Sequence, residues 1–262
     1  MRARTSEHLN TLLYCLFLLL LILTVIPAQE ISHPLSSNGT DPTEPRTRFD
    51  AYLGSTEPLS AGYIIQSSAM GNLAFNHWGS IGLSVPLVYA DFPSSVTFEV
   101  GDLELKTLFA FYKSKKQSSL KSIALGIDFF LNTGNVETGT GFGQYVVGPY
   151  LAASFFPSPE IMLTPIIEEF ISLDKDDKGN KKNDLSLRIQ TTYNFEQGIW
   201  LTLTPELIID LLGEKANLWT LRSSIGKMIN QKSGFSFDYI SQLAGEKRFN
   251  YLARINYRYL IK

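Results

Sequence analysis

The 262-residue chain holds one cysteine, Cys15, and it lies in the apolar run that opens the sequence. The rest can form no disulfide, no thiolate metal site and no cysteine nucleophile. Histidine is nearly as scarce. His8 belongs to the same N-terminal stretch, His33 to a polar tail, and His77 alone stands in patterned sequence. In NHWGS, His77 and Ser80 would project to opposite faces of a strand, so they cannot make the activated serine of a hydrolase, and no catalytic residue is expected. An excess of either charge is also missing. The formal net charge is -2, with lysine and arginine scattered among nearly equal numbers of acids, which argues against a nucleic-acid partner. GTGFG at 139–143 lacks the strand-then-helix setting of a phosphate loop. DKDDKGNKKND lacks the closing glutamate of a calcium loop, and its lysines would repel a cation; no cofactor or metal is expected.

What is present begins with MRARTSEHLN, which carries Arg2 and Arg4, followed by an apolar run from Thr11 to Ile26. This is the shape of a secretory signal peptide, assigned to residues 1–28, with an uncleaved anchor as the alternative. Residues 29–58 are rich in Pro, Ser and Thr and read as a flexible periplasmic segment, with room for one short strand around Phe49 to Leu53. No later stretch supports a long amphipathic helix.

From residue 59 to 262 the pattern is two-residue alternation. In GIWLTLTPELIID, Ile199, Leu201, Leu203, Leu207 and Ile209 alternate with Thr202, Thr204, Glu206 and Asp210. The same two-sided reading fits 184–194, 247–262 and several other segments. A soluble sandwich and a membrane barrel both use it, with opposite faces wet. The connections decide between them. Long polar segments (132–143, 173–184, 211–217) alternate with tight turns (156–159, 195–198, 230–234), the asymmetry of extracellular loops and periplasmic turns. Several strands also reach the ~9 to 11 residues of a membrane strand. The expectation is all-β: an antiparallel up-and-down transmembrane β-barrel of about 12 strands, ten as the fallback, in the bacterial outer membrane. Pro165 and Pro205 fall inside its strands and should mark bulges or kinks.

The segments VGDLELKTLFAFY, VVGPYLAASFFPSPEIMLTPIIEEFISL, WLTLTPELIIDL and SSIGKMIN resemble the outer-membrane transporters grouped with the meta-pathway phenol-degradation protein. The resemblance implies an outer-membrane barrel and the passage of small aromatic or hydrophobic compounds. Its motifs are framework motifs, nearly silent about substrate.

On the polar parity stand Asp102, Glu104, Lys106, Glu168, Arg188, Glu206, Asp210, Arg222, Asp238, Arg248, Arg254 and Arg258, the candidate lumen residues. Acids and bases of neighbouring strands should pair or stay hydrated, because an uncompensated charge in a narrow lumen is costly. The resulting mixed-charge interior fits a channel whose partners are membrane lipid and a small-molecule permeant. It fits equally a closed structural or surface-interaction barrel held by salt bridges. The oligomeric state has no sequence signal.

Overall fold

In the computed structural model, residues 38–58, 62–93, 95–114, 119–136, 140–175, 181–213, 216–247 and 249–261 are described. The expected leader 1–28, the start of the tail behind it, and Arg248 lie outside the described residues.

The described residues form strands β1 (Arg48–Pro58), β2 (Tyr63–Ala74), β3 (Gly79–Phe92), β4 (Ser95–Val100), β5 (Glu104–Lys113), β6 (Leu120–Phe130) and β7 (Val146–Ser158). They continue with β8 (Ile161–Ser172), β9 (Asn183–Asn194), β10 (Ile199–Asp210), β11 (Leu218–Met228), β12 (Ser233–Gly245) and β13 (Phe249–Leu260). Consecutive strands pair antiparallel except β4 and β5, which both pair with β3; β1 also pairs with β13, so the sheet closes on itself. Closure removes the open strand edges that a bilayer would leave without hydrogen-bond partners.

β4 and β5 lie end to end along β3: β4 pairs with Leu87 to Phe92, and β5 with Gly79 to Ser84. They act as one stave, which makes a closed 12-strand barrel. The break falls opposite Pro86, which has no N–H to donate; its carbonyl still accepts from Gly101 N at 2.9 Å. Pro205 has the same effect on one side only. The β9–β10 register passes from Leu203↔Thr191 to Glu206↔Arg188, while Pro205 stays paired with Leu221 on β11. Pro165 pairs with Ile189 on β9, and the β7–β8 register omits it.

β10 settles which face is apolar and outward. Leu203 and Pro205 are exposed on the outside, whereas Trp200, Thr202 and Thr204 are buried on the inside. β3 repeats the pattern: Ile81, Leu83, Val85 and Leu87 face out, and Ser80, Ser84, Val88 and Ala90 face in. An apolar band outside and hydroxyls inside is a soluble β-protein turned inside out, and lipid is the environment that satisfies it. Tyr145 and Trp219 are exposed near one rim and Tyr193 and Phe195 near the other, where aromatic rings suit the membrane interfaces.

Within the expected flexible segment 29–58, β1 is longer than the one short strand expected around Phe49 to Leu53. Its residues Arg48–Pro58 pair along their length with β13 and β2 and supply the twelfth stave.

Candidate functional site: a charged lumen closed at one mouth by a strap

The described chain just before β1 does not leave the barrel. Residues 38–47 turn inward at the rim of short turns and run across the mouth, where Asn38, Asp41 and Thr43 are buried. This strap is tied to the wall in sequence. Thr47 O accepts from Ile261 N at 2.9 Å and Thr47 Oγ1 from Ala74 N at 3.1 Å, which fixes its base. Asn72 Nδ2 then donates to Arg46 O at 2.6 Å, and Arg46 pairs with Glu44 at 2.9 Å.

Thr43 reaches the far wall, where its hydroxyl meets Ser122 Oγ of β6 at 2.5 Å and Ser154 Oγ of β7 at 3.1 Å. Asp41 Oδ1 accepts from Ser154 Oγ at 2.6 Å and from Thr43 N and Oγ1 at 2.9 and 2.7 Å. On the return, Gln190 Nε2 donates to Thr40 O at 2.8 Å, Asn38 Nδ2 to Asn194 Oδ1 at 2.8 Å, and Arg48 and Arg258 to Gly39 O at 3.0 and 2.8 Å. Buried polar groups are costly unless paired, and here strap and wall satisfy each other.

Above the strap lies a cavity of about 540 Å³ whose floor includes Gly39 and Thr40. Its lining carries cations and acids in equal number: Arg48, Lys106, Arg188, Arg222, Arg254 and Arg258 against Asp50, Glu104, Asp128, Glu168, Glu206 and Asp238. Their grouping is not uniform. On β5 and β6, Lys106 is held between Glu104 at 2.5 Å and Asp128 at 2.9 Å. On β8 to β10, Arg188 is held between Glu168 and Glu206, the second at 3.5 Å. On β1 and β13 the order is reversed, with Asp50 held between Arg48 at 2.7 Å and Arg258 at 2.6 Å. Arg254 pairs with Asp238 at 2.7 Å, and its guanidinium lies 5.3 Å from the centre of the Tyr52 ring. Arg222 is exposed to the cavity and makes no ion pair with any described residue.

Two aromatic side chains keep the space clear by lying along the wall over glycine. A Cβ on Gly226 would come within 2.1 Å of the Trp200 ring, and one on Gly126 within 2.4 Å of the Tyr150 ring. The Tyr150 hydroxyl donates to Thr107 O at 3.1 Å, two staves away. With no Cβ on those glycines, the rings fold flat against the backbone instead of standing into the lumen.

The sequence-derived candidates sort as follows. Glu104, Lys106, Glu168, Arg188, Glu206, Arg222, Asp238, Arg254 and Arg258 line the cavity. Asp102 does not. It sits in the irregular chain between β4 and β5, where strand parity is lost, and its carboxylate accepts from Gly134 N at 2.8 Å and Phe142 N at 2.6 Å, pinning the loop that follows β6. Asp210 ends β10 and accepts from Leu212 N at 3.0 Å, shaping the outer loop rather than the cavity. Arg248 falls outside the described residues. The sequence list missed Arg48, Asp50 and Asp128, which carry half of two ion-pair groups. Asp50 alternates with Phe49 and Ala51, and Asp128 with Ile127 and Phe129, so parity could have found them. His77 lies exposed in the turn after β2, against the Trp78 ring at 5.0 Å.

Among solved structures, the chain is similar to an outer-membrane channel from Pseudomonas putida F1. The TM-score is 0.65 at 12% identity, over 90% of this chain and 100% of that one. The likeness is one of fold, a closed antiparallel β-barrel. The NanC porin matches with a TM-score of 0.58 at 9% identity, and the KdgM porin with 0.53 at 11%, each over 82% of this chain and 99% of its own. No family model matches the sequence, and no curated protein matches it.

Proposed function

We propose that the protein is an outer-membrane channel or transporter that passes small molecules through the mixed-charge lumen. The observation that carries this reading is the cavity of about 540 Å³ at the barrel axis, lined by charged and hydroxyl side chains instead of being filled with apolar ones. A barrel built only to be rigid gains most from a packed interior. Here the large inward rings are folded against the walls over Gly126 and Gly226. The fold shared with a channel and two porins supports the same reading. Aromatic or hydrophobic permeants, suggested by the sequence resemblance, are accommodated by Tyr52, Phe130, Phe170 and Trp200 on the lining.

A closed structural barrel is favoured by a different observation, the strap bonded across one mouth. Conductance separates the two readings. The refolded protein in a planar bilayer should give discrete current steps, and Arg254→Glu should shift the cation-to-anion selectivity toward cations. Silence from a folded barrel would favour the closed reading.

A further inference from the structure

We infer that the lumen selects dipolar permeants, small molecules that carry a cationic and an anionic group at once. This rests on the channel reading and narrows its substrate class. Charge is distributed unevenly around the ring. The acid–cation–acid groups on β5–β6 and β8–β10 each leave one net negative charge, and both lie on the same arc of the barrel. The arginine–aspartate–arginine group on β1 and β13 leaves one net positive charge, and Arg222 on β11 adds a second. Arg254 and Asp238 between them cancel. β2 and β3 contribute Met70 and Ser84, which are neutral.

The lumen is therefore neutral in sum and polarised across its width, positive along β11–β1 and negative along β5–β10. A monoanion or monocation attracted to one wall meets a like-charged wall opposite, and the two contributions offset. A dipole that fits across the cavity gains at both walls, with its anionic end toward Arg222 and Arg258 and its cationic end toward Glu104 and Asp128 on the facing staves. Arg222 is the sharpest part of the arrangement, because its donors are committed to no described partner while guanidinium recognises carboxylate geometry well. Water in the lumen screens each contact, which keeps binding weak enough for the permeant to leave.

Solutes of one size and different charge test this. Vesicles containing the full refolded protein are loaded by glycylglycine (zwitterion), N-acetylglycinamide (neutral), N-acetylglycinate (monoanion) and glycylglycinamide (monocation), and initial uptake is compared with protein-free vesicles. The expected order puts glycylglycine about threefold ahead of each of the others, the scale of one or two solvated charge contacts. Arg222→Gln should bring the zwitterion-to-neutral ratio close to one, and Glu104→Gln on the facing wall should lower it by a similar factor. A ratio near one in the unmodified protein, or an order led by the monoanion or the monocation, overturns the inference and leaves the channel intact. If no solute enters faster than into protein-free vesicles, the channel reading fails, and the inference fails with it.

Discussion

Asp41→Ala should release the strap. One oxygen of Asp41 accepts from Ser154 at 2.6 Å and from Thr43 N and Oγ1 at 2.9 and 2.7 Å, and the residue is only 5% exposed. A hydrogen bond to a charged acceptor contributes ~1.5–3 kcal/mol net. Only the Ser154 bond joins strap to wall directly; the other two hold the turn that presents Thr43. After truncation Thr43 still reaches Ser122, and Ser154 still reaches Thr164 at 3.0 Å, so neither hydroxyl is orphaned. The loss of docking should therefore be ~2–3 kcal/mol, a fall of about 30- to 150-fold in the docked-to-released ratio. The barrel itself should survive, because no ladder bond is lost. Trypsin cleavage after Arg46 reports release, since it tracks the open population when opening is fast. Cleavage should accelerate by the same factor, and the bilayer current per inserted protein should rise. Cleavage at the unmodified rate together with an unchanged current would refute the strap as a barrier.

Three further outcomes follow from the same geometry. Arg188→Met should destabilise the folded barrel by ~3 kcal/mol in urea unfolding from vesicles, because Glu168, 2% exposed, loses the cation that compensates it. Gly226→Val should drive the Trp200 ring off the wall and into the cavity, lowering conductance while the far-ultraviolet spectrum keeps its β signature. Burial raises the Glu44 carboxyl above its ordinary range despite the neighbouring Arg46, so the docked strap prefers Glu44 protonated. The docking contribution is then full below about pH 4.5 and is lost as pH rises through the docked-state value, so current should be smaller at pH 4 than at pH 7. Glu44→Gln should remove that dependence.

Much of the barrel is legible in the sequence because lipid imposes the two-residue period on every stave. Ile199 to Asp210 shows it without help, and the alternation of long and short connections orients the whole meander. β1 is harder to read: RFDAYLGSTEP carries Phe49, Ala51 and Leu53 against Asp50, Tyr52 and Gly54, too short an apolar row beside a Pro-rich tail. Asp102 shares the sequence parity of Glu104 and Lys106 but lies in the chain between β4 and β5, where the ladder is interrupted opposite Pro86. The strap has no local signal at all. Asp41 and Thr43 look like ordinary turn formers, and their partners Ser122 and Ser154 stand roughly 80 to 110 positions away, among many other inward hydroxyls. Pairing within the lumen could be expected from cost alone, but which acid joins which base depends on register, and register is set by closure.

The most direct test of a water-filled path through this lumen returns to β10, where Thr204 faces the cavity and Leu203 faces outward. Thr204→Cys and Leu203→Cys, each in a Cys15→Ser background, are reconstituted in planar bilayers, and a charged thiol reagent is added during recording. With a water-filled path, the steps should shrink or close at Thr204→Cys and stay unchanged at Leu203→Cys. Block at Leu203→Cys alone, or current that neither variant lets the reagent touch, would contradict it.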